Sequence, residues 1–255
     1  MTDFLMSLLA LADDAGAAIL EIYASDFDVE AKGDASPVTA ADRAAEAVIL
    51  AGLARLTPDI PVISEEQVEA GQAPEVADRF WLVDPLDGTK EFIKRNGEFT
   101  VNIGLIEAGQ PVLGVVTAPA QRRAWWGEVG RGAWARDAAG VVSAIGARAR
   151  PAVDAVAAVS RSHLDEATLA FLDVQGIAER ISAGSALKFC LVAEGLADVY
   201  PRFGPTMCWD TAAGHAVLAA AGGRVSEVDG TTPLGYGAPL ARHKGFIAWG
   251  RTDTS

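Results

Sequence analysis

The sequence predicts a mixed α/β fold in two parts: helices laid on an antiparallel sheet, followed by a unit in which strands and helices alternate. Three observations carry this. Apolar residues recur at helical spacing from Phe4 to Tyr23 and again from Thr39 to Leu56, strand-like alternation begins at Phe99, and strand and helix patterns take turns beyond Ala155. With 255 residues, half of them hydrophobic, the chain can bury a sizeable core. Residues 144–151 lose all periodicity and read as a connection, which divides the chain into units at 1–149 and 150–255.

In order along the chain, Leu5, Leu8, Leu9, Ala12, Ile19, Leu20 and Tyr23 form the apolar face of a first helix, with Asp13, Asp14 and Glu21 off it. Residues 27–32 read as a short strand and 33–37 as a loop. Thr39-Ala40-Ala41-Asp42 has the form of a capping box, so a second helix is expected to start at Thr39 and to bury Ala45, Val48, Ile49, Leu53 and Leu56. Residues 60–63 form the next strand, ended by Ser64-Glu65-Glu66. Residues 80–83 are apolar, aromatic and β-branched, as a central strand should be. That strand is expected to stop at Asp84, because Pro85 cannot donate to a ladder, and Asp87-Gly88-Thr89 then makes a tight turn that opens a helix.

Residues 99–106 and 111–116 read as a hairpin, and 123–136 continue the meander with Trp125, Trp126 and Trp134 as sheet or core aromatics. In the second unit, strands are expected at 155–159, 180–182, 197–201 and 246–249, and helices at 165–174, 185–193 and 210–221. A site in such a unit lies beyond the strand ends.

Composition narrows the function. A net charge of −13 excludes a nucleic-acid polymer as partner, since polymer phosphates require a basic surface. The apolar run at 4–12 is too short to span a bilayer, is followed by two aspartates and has no basic region before it, so neither a signal peptide nor a membrane segment is expected. Cys190 and Cys208 match no metal or redox spacing and read as buried thiols in a reducing cytoplasm.

Some residues point to chemistry. Asp84 and Asp87, held at a strand end by a rigid turn, make a hard-oxygen site suited to Mg²⁺, and the amides of Gly88 and Thr89 suit a phosphate. Glu65, at the end of a neighbouring strand, would supply a third carboxylate. Asp42 reads either as a helix cap or as a site residue, and Asp210 likewise. Gly184-Ser185 with Lys188, together with Arg202, Ser162 and His163, could hold a second phosphate.

Two strings carry a family resemblance. Asp84-Pro85-Leu86-Asp87-Gly88-Thr89 and Trp209-Asp210-Thr211-Ala212-Ala213-Gly214 resemble the paired signatures of the inositol monophosphatase superfamily of Mg²⁺-dependent, Li⁺-sensitive phosphatases. Lys90-Glu91-Phe92, the Gly184-to-Cys190 string and Tyr200-Pro201-Arg202 look like its 3′(2′),5′-bisphosphate nucleotidase branch; Cys208 departs from the acidic residue common there. The resemblance implies a layered αβαβα sandwich of the sugar-phosphatase type. It also implies two to three Mg²⁺ ions held by Glu65, Asp84, the Leu86 carbonyl, Asp87 and Asp210. Thr89, oriented by Asp42, would act with Glu65 on an activated water, with Leu86, Asp87, Gly88, Thr89 and Asp210 against the substrate. The expected reaction is conversion of adenosine 3′,5′-bisphosphate to AMP and phosphate in sulfur metabolism, by a cytoplasmic enzyme of a kind that in some relatives associates peripherally with the inner membrane. The alternatives are an inositol or sugar monophosphatase and a non-catalytic Mg²⁺ or nucleotide sensor.

Overall fold

The structure, a computed structural model, describes residues 2–25, 37–72, 74–75, 77–151, 153–162, 164–237, 240 and 242–251. The strand expected at 27–32 and all but the last residue of the loop after it lie outside these. The first half runs α1 (Asp3–Tyr23), α2 (Pro37–Leu56), β1 (Val62–Ser64), α3 (Glu65–Glu69), β2 (Arg79–Asp87), α4 (Thr89–Ile93), β3 (Thr100–Glu107), β4 (Gln110–Ala118), β5 (Arg123–Glu128), β6 (Gly132–Arg136) and β7 (Val142–Ile145). The second half runs β8 (Val156–Ser160), α5 (Glu166–Val174), β9 (Glu179–Ala183), α6 (Leu187–Ala193), β10 (Val199–Arg202), β11 (Thr206–Met207), α7 (Cys208–Ala220), β12 (Arg224–Ser226), β13 (Arg242–His243) and β14 (Phe246–Trp249).

Strands β1 to β7 form one sheet in sequence order, parallel only at β1–β2. The β3–β4 turn has Ala108 and Gly109 at φ 49° and 73°, the two left-handed positions that match a hairpin's twist. A second sheet has the order β12-β14-β10-β8-β9, parallel through β10, β8 and β9.

Five layers result. Helices α1 and α2 bury Leu8, Ile19, Ala45, Ile49 and Leu53 against Trp81, Val101 and Trp126 on one face of the large sheet. Helices α6 and α7 lie between the two sheets, with Phe189, Cys190 and Val217 meeting Val116, Trp125 and Phe246. Helix α5 covers the outer face of the smaller sheet through Leu172. Contact between α7 and the large sheet is close enough to require glycine: a Cβ at Gly114 would stand 2.3 Å from the Ala213 carbonyl oxygen, and one at Gly104 2.8 Å from the Ala213 nitrogen. This is the expected αβαβα sandwich. No described helix is long and apolar enough to cross a membrane.

Several expectations need correction. Helix α2 begins at Pro37, not Thr39; proline suits a first helical position, where its missing N–H would have no partner, so Asp42 is no cap. Strand β2 runs on to Asp87. Its pairing with β1 ends at Val83, so Pro85 interrupts no ladder on that side. Residues 142–145 are a strand rather than the start of a connection, and α6 begins at Leu187, beyond Ser185.

Candidate active site

The β1–β2 register pairs Ser64 with Val83, so Glu65, the first residue of α3, follows the end of β1 beside the point where Asp84 follows in β2. Against β3, Asp84 pairs with Asn102 and Asp87 with Thr100; one extra residue in β2 makes a bulge there and re-aims the chain. Gly88 then turns it at φ 101°, a conformation closed to most side chains, and α4 begins at Thr89. Asp210 arrives from elsewhere, in the first turn of α7.

The three aspartates share a pattern. Asp84 Oδ1 accepts from the Leu86 amide at 3.1 Å. Asp87 Oδ2 accepts from Asn102 Nδ2 at 3.3 Å and Thr100 Oγ1 at 3.5 Å. Asp210 Oδ2 accepts from Thr206 Oγ1 and from the Met207 amide at 3.1 Å. In each, the scaffold bonds found among the described residues converge on one carboxylate oxygen. Burial, and then mutual repulsion, raise their proton affinity: Glu65 is pushed up to about 8 by burial, Asp210 and Asp87, and Asp87 to about 7 by burial and Asp210. Asp84 is raised by burial and by Glu65, and Asp210 by burial despite its hydrogen bonds. Oriented hard oxygens in an environment hostile to bare negative charge are a donor set that fits Mg²⁺. They surround the site rather than close on it: among the described residues, no three Asp, Glu, His or Cys side chains are grouped tightly enough to hold an ion as they stand.

Asp42 lies nearby, and burial and then Glu66 and Glu65 push it up to about 8. Its Oδ1 is buried with no hydrogen-bond partner. The expected bond from Thr89 is not made among the described residues, and Thr89 is exposed.

A cavity of about 240 Å³ joins this acidic wall to a cationic one. Asp87, Gly88, Thr89 and Asp210 line it together with Ser185, Lys188, Tyr200 and Arg202. Lys188 is fully buried on α6, and burial pulls it down to about 8 although Asp87 opposes the shift. Its ammonium donates to the carbonyls of Ala183 and Ser185 and lies 5.2 Å from the Tyr200 ring centroid. Among the described residues no carboxylate is bonded to it, so it keeps charge for a ligand. Arg202 donates to the Pro205 carbonyl at 3.0 Å.

Gly184 does not offer the free amide expected of it, because it donates to Glu98 Oε2 at 2.8 Å. Glu98 also takes a two-pronged bond from Arg161 at 2.6 and 2.7 Å. Ser162 Oγ donates to Glu91 Oε1 at 2.7 Å. Leu86 is buried in β2 just before the turn. His163 lies outside the described residues.

Helix α7 is also braced by a hydrogen-bonded chain. Thr211 Oγ1 gives its one proton to the Cys208 carbonyl, so Tyr236 must donate to Thr211, and His215 Nδ1 must carry the proton it shares with Tyr236 at 3.1 Å. This fixes the neutral His215 tautomer.

Comparison with known proteins places the chain in a family. The profile of the inositol monophosphatase family matches residues 2–250. The chain is 54% identical over 225 residues to the 3′(2′),5′-bisphosphate nucleotidase CysQ of Salmonella typhimurium, covering 87% of this chain and 89% of that protein. It is 36% identical to a histidinol-phosphatase of Mycobacterium tuberculosis, covering 94% and 93%. Among solved structures, CysQ from Bacteroides thetaiotaomicron, a bacterial member of the inositol monophosphatase family, superposes with a TM-score of 0.85 at 40% identity, covering 98% and 97%. Fold, paired motifs and full-length similarity coincide: the chain belongs to the inositol monophosphatase family.

Proposed function

We propose that this protein is a magnesium-dependent 3′(2′),5′-bisphosphate nucleotidase that removes the 3′-phosphate of adenosine 3′,5′-bisphosphate, releasing AMP and phosphate. The observation that carries the reading is the buried, carboxylate-free Lys188 facing Asp87 and Asp210 across one cavity. A monoester substrate needs only the acidic wall. A bisphosphate needs a cation at a fixed distance from it. Similarity to the CysQ nucleotidases supports the same substrate class.

In this reading residues 1–149 carry all of the metal site but Asp210, and 150–255 carry most of the substrate contacts. Glu65, Asp84, the Leu86 carbonyl, Asp87 and Asp210 would hold two to three Mg²⁺ ions. Bound there, magnesium supplies positive charge to the phosphoryl oxygens and acidity that makes water a nucleophile near neutral pH. Thr89 and Glu65 orient that water, and the buried, unpartnered Asp42 Oδ1 is an acceptor able to fix the Thr89 hydroxyl. Lys188, Arg202 and Ser185 hold the other phosphate, with Ser162 and His163 as further candidate substrate contacts. We assign the enzyme to the cytoplasm; peripheral membrane association forms no part of the reading.

The test is phosphate release from adenosine 3′,5′-bisphosphate, inositol 1-phosphate and histidinol phosphate by wild type and Lys188→Met. The expected result is preference for the bisphosphate, with KM for it raised at least about tenfold in Lys188→Met, the loss of roughly one charge-assisted contact. Preference for either monophosphate identifies a monophosphatase instead. Turnover of none of the three, equal in wild type and Asp87→Asn, identifies a binding protein.

A further inference from the structure

We infer that Asn102 is a positioning residue for the metal centre, acting by occupying one oxygen of Asp87. The inference rests on the functional reading above only in that Asp87 ligates a cation. Asn102 interrupts the apolar run Val101-Asn102-Ile103 in the middle of β3 and is wholly buried. A polar amide at such a place costs stability unless its groups are paired, and here only half of them are. Asn102 Nδ2 donates to Asp87 Oδ2 at 3.3 Å, while Asn102 Oδ1 is buried with no partner. Turning the amide over would set its oxygen against a carboxylate, so Asp87 dictates the orientation and the orphaned acceptor is its consequence.

The residue earns no stability from this arrangement, and its position explains what it does. Asn102 stands opposite Asp84 in the sheet register, at the edge of the bulge that separates Asp84 from Asp87. Its amide and the Thr100 hydroxyl both approach Asp87 from Oδ2, and neither touches Oδ1. Carboxylate rotation is thereby restrained with Oδ1 left for the cation. Partners that orient a metal ligand in this way typically change metal affinity or activity by 10–100-fold when removed.

The experiment compares wild type, Asn102→Leu and Asn102→Ser. Mg²⁺ binding to the metal-free protein is followed by calorimetry, half-activation by Mg²⁺ by phosphate release, and melting temperature without metal. Asn102→Leu is expected to weaken Mg²⁺ binding and raise the half-activating concentration about 10–100-fold, while its metal-free melting temperature stays at or above wild type because an orphaned polar group has gone. Asn102→Ser, which keeps a donor, should fall between. Unchanged Mg²⁺ binding in either variant overturns the inference. So does a fall in melting temperature with activity lost equally at every Mg²⁺ concentration, the mark of a purely structural residue. If Asn102→Leu does not fold, Mg²⁺ binding by Asn102→Ser decides. Because calorimetry needs no substrate, failure of the nucleotidase assignment would show in turnover and leave this result standing.

Discussion

The hydroxyl of Ser185 lies 2.9 Å from the main-chain oxygen of Asp87 and 2.7 Å from that of Glu98, tying the segment before α6 to the metal turn. The same oxygen stands 2.2 Å from where a Cβ on Gly88 would be, and Gly88 sits at φ 101°. Replacing Gly88 by alanine therefore displaces Ser185 or the turn, and a shift of about 1 Å at such a site can cost on the order of a hundredfold in rate. Gly88→Ala is expected to lose about that much kcat/KM. Adding Ser185→Gly removes the obstructing hydroxyl and should recover part of the loss, leaving the backbone strain. Steady-state kinetics on the two single variants and the double check this; no recovery in the double means that the steric account is wrong.

Asp42 shows stability and function pulling apart. Its carboxyl is pushed up to about 8 by burial and by Glu66 and Glu65, and one oxygen has no donor. An unfolded chain ionises this group near the ordinary aspartate value of 3.8, so wild type loses stability as pH rises from about 4 to about 8 and loses no more above that. Asn cannot ionise. The stability advantage of Asp42→Asn over wild type should therefore grow across that window and level off, worth about 2–4 °C in melting temperature per kcal/mol. If Asp42 fixes Thr89 during turnover, the same variant loses kcat by roughly 10–100-fold. Higher activity alongside higher stability would reduce Asp42 to a burial defect. The measurements are thermal melts from pH 4 to 9 without metal and initial rates with Mg²⁺.

What the sequence disclosed follows from which interactions are local. The helical face from Leu5 to Ile19 and the hairpin around Ala108-Gly109 are written in side-chain period and turn chemistry, and both were read correctly. The end of β2 departs from the expectation because Pro85 is a strand breaker only where a neighbour needs its N–H, and β1 stops at Ser64, opposite Val83 and two positions short of Pro85. Likewise Gly184 looked like a free helix-start amide; Glu98, far away in sequence, takes it. Among the site residues, Asp84, Asp87 and Asp210 stand in motifs, whereas Thr100, Thr206 and Glu98 act through contacts that no local pattern encodes. Asn102 did leave a signal, a polar residue in the middle of an apolar strand, which alternation alone assigns to a solvated face that does not exist here.

The chain behind α7 makes the stability of the fold sensitive to acid. Burial, then His243, pulls His215 down to about 3, and burial pulls His243 down to about 4. In the unfolded chain both titrate near 6.5. Above that pH both states are neutral and the contribution is complete; as pH falls towards 3 the unfolded state takes up protons that the folded state refuses, so stability is lost. For His215 alone the loss at pH 5 is on the order of 2 kcal/mol. Protonation would also place a charge next to the Tyr236–Thr211 chain, where Tyr236 already receives the Nδ1 proton and has no acceptor capacity directed at a second. The acidic residues of the site respond in the opposite direction, so the raw pH profile mixes the two. Subtracting the profile of His215→Gln, a neutral residue of similar reach, isolates the histidine. The difference in melting temperature between wild type and His215→Gln should narrow as pH falls from 6.5 to 4.5, wild type losing its lead. A difference that stays constant over that range would mean that His215 is protonated in the folded protein, and the tautomer assigned to it from the Thr211 hydroxyl would fall with it.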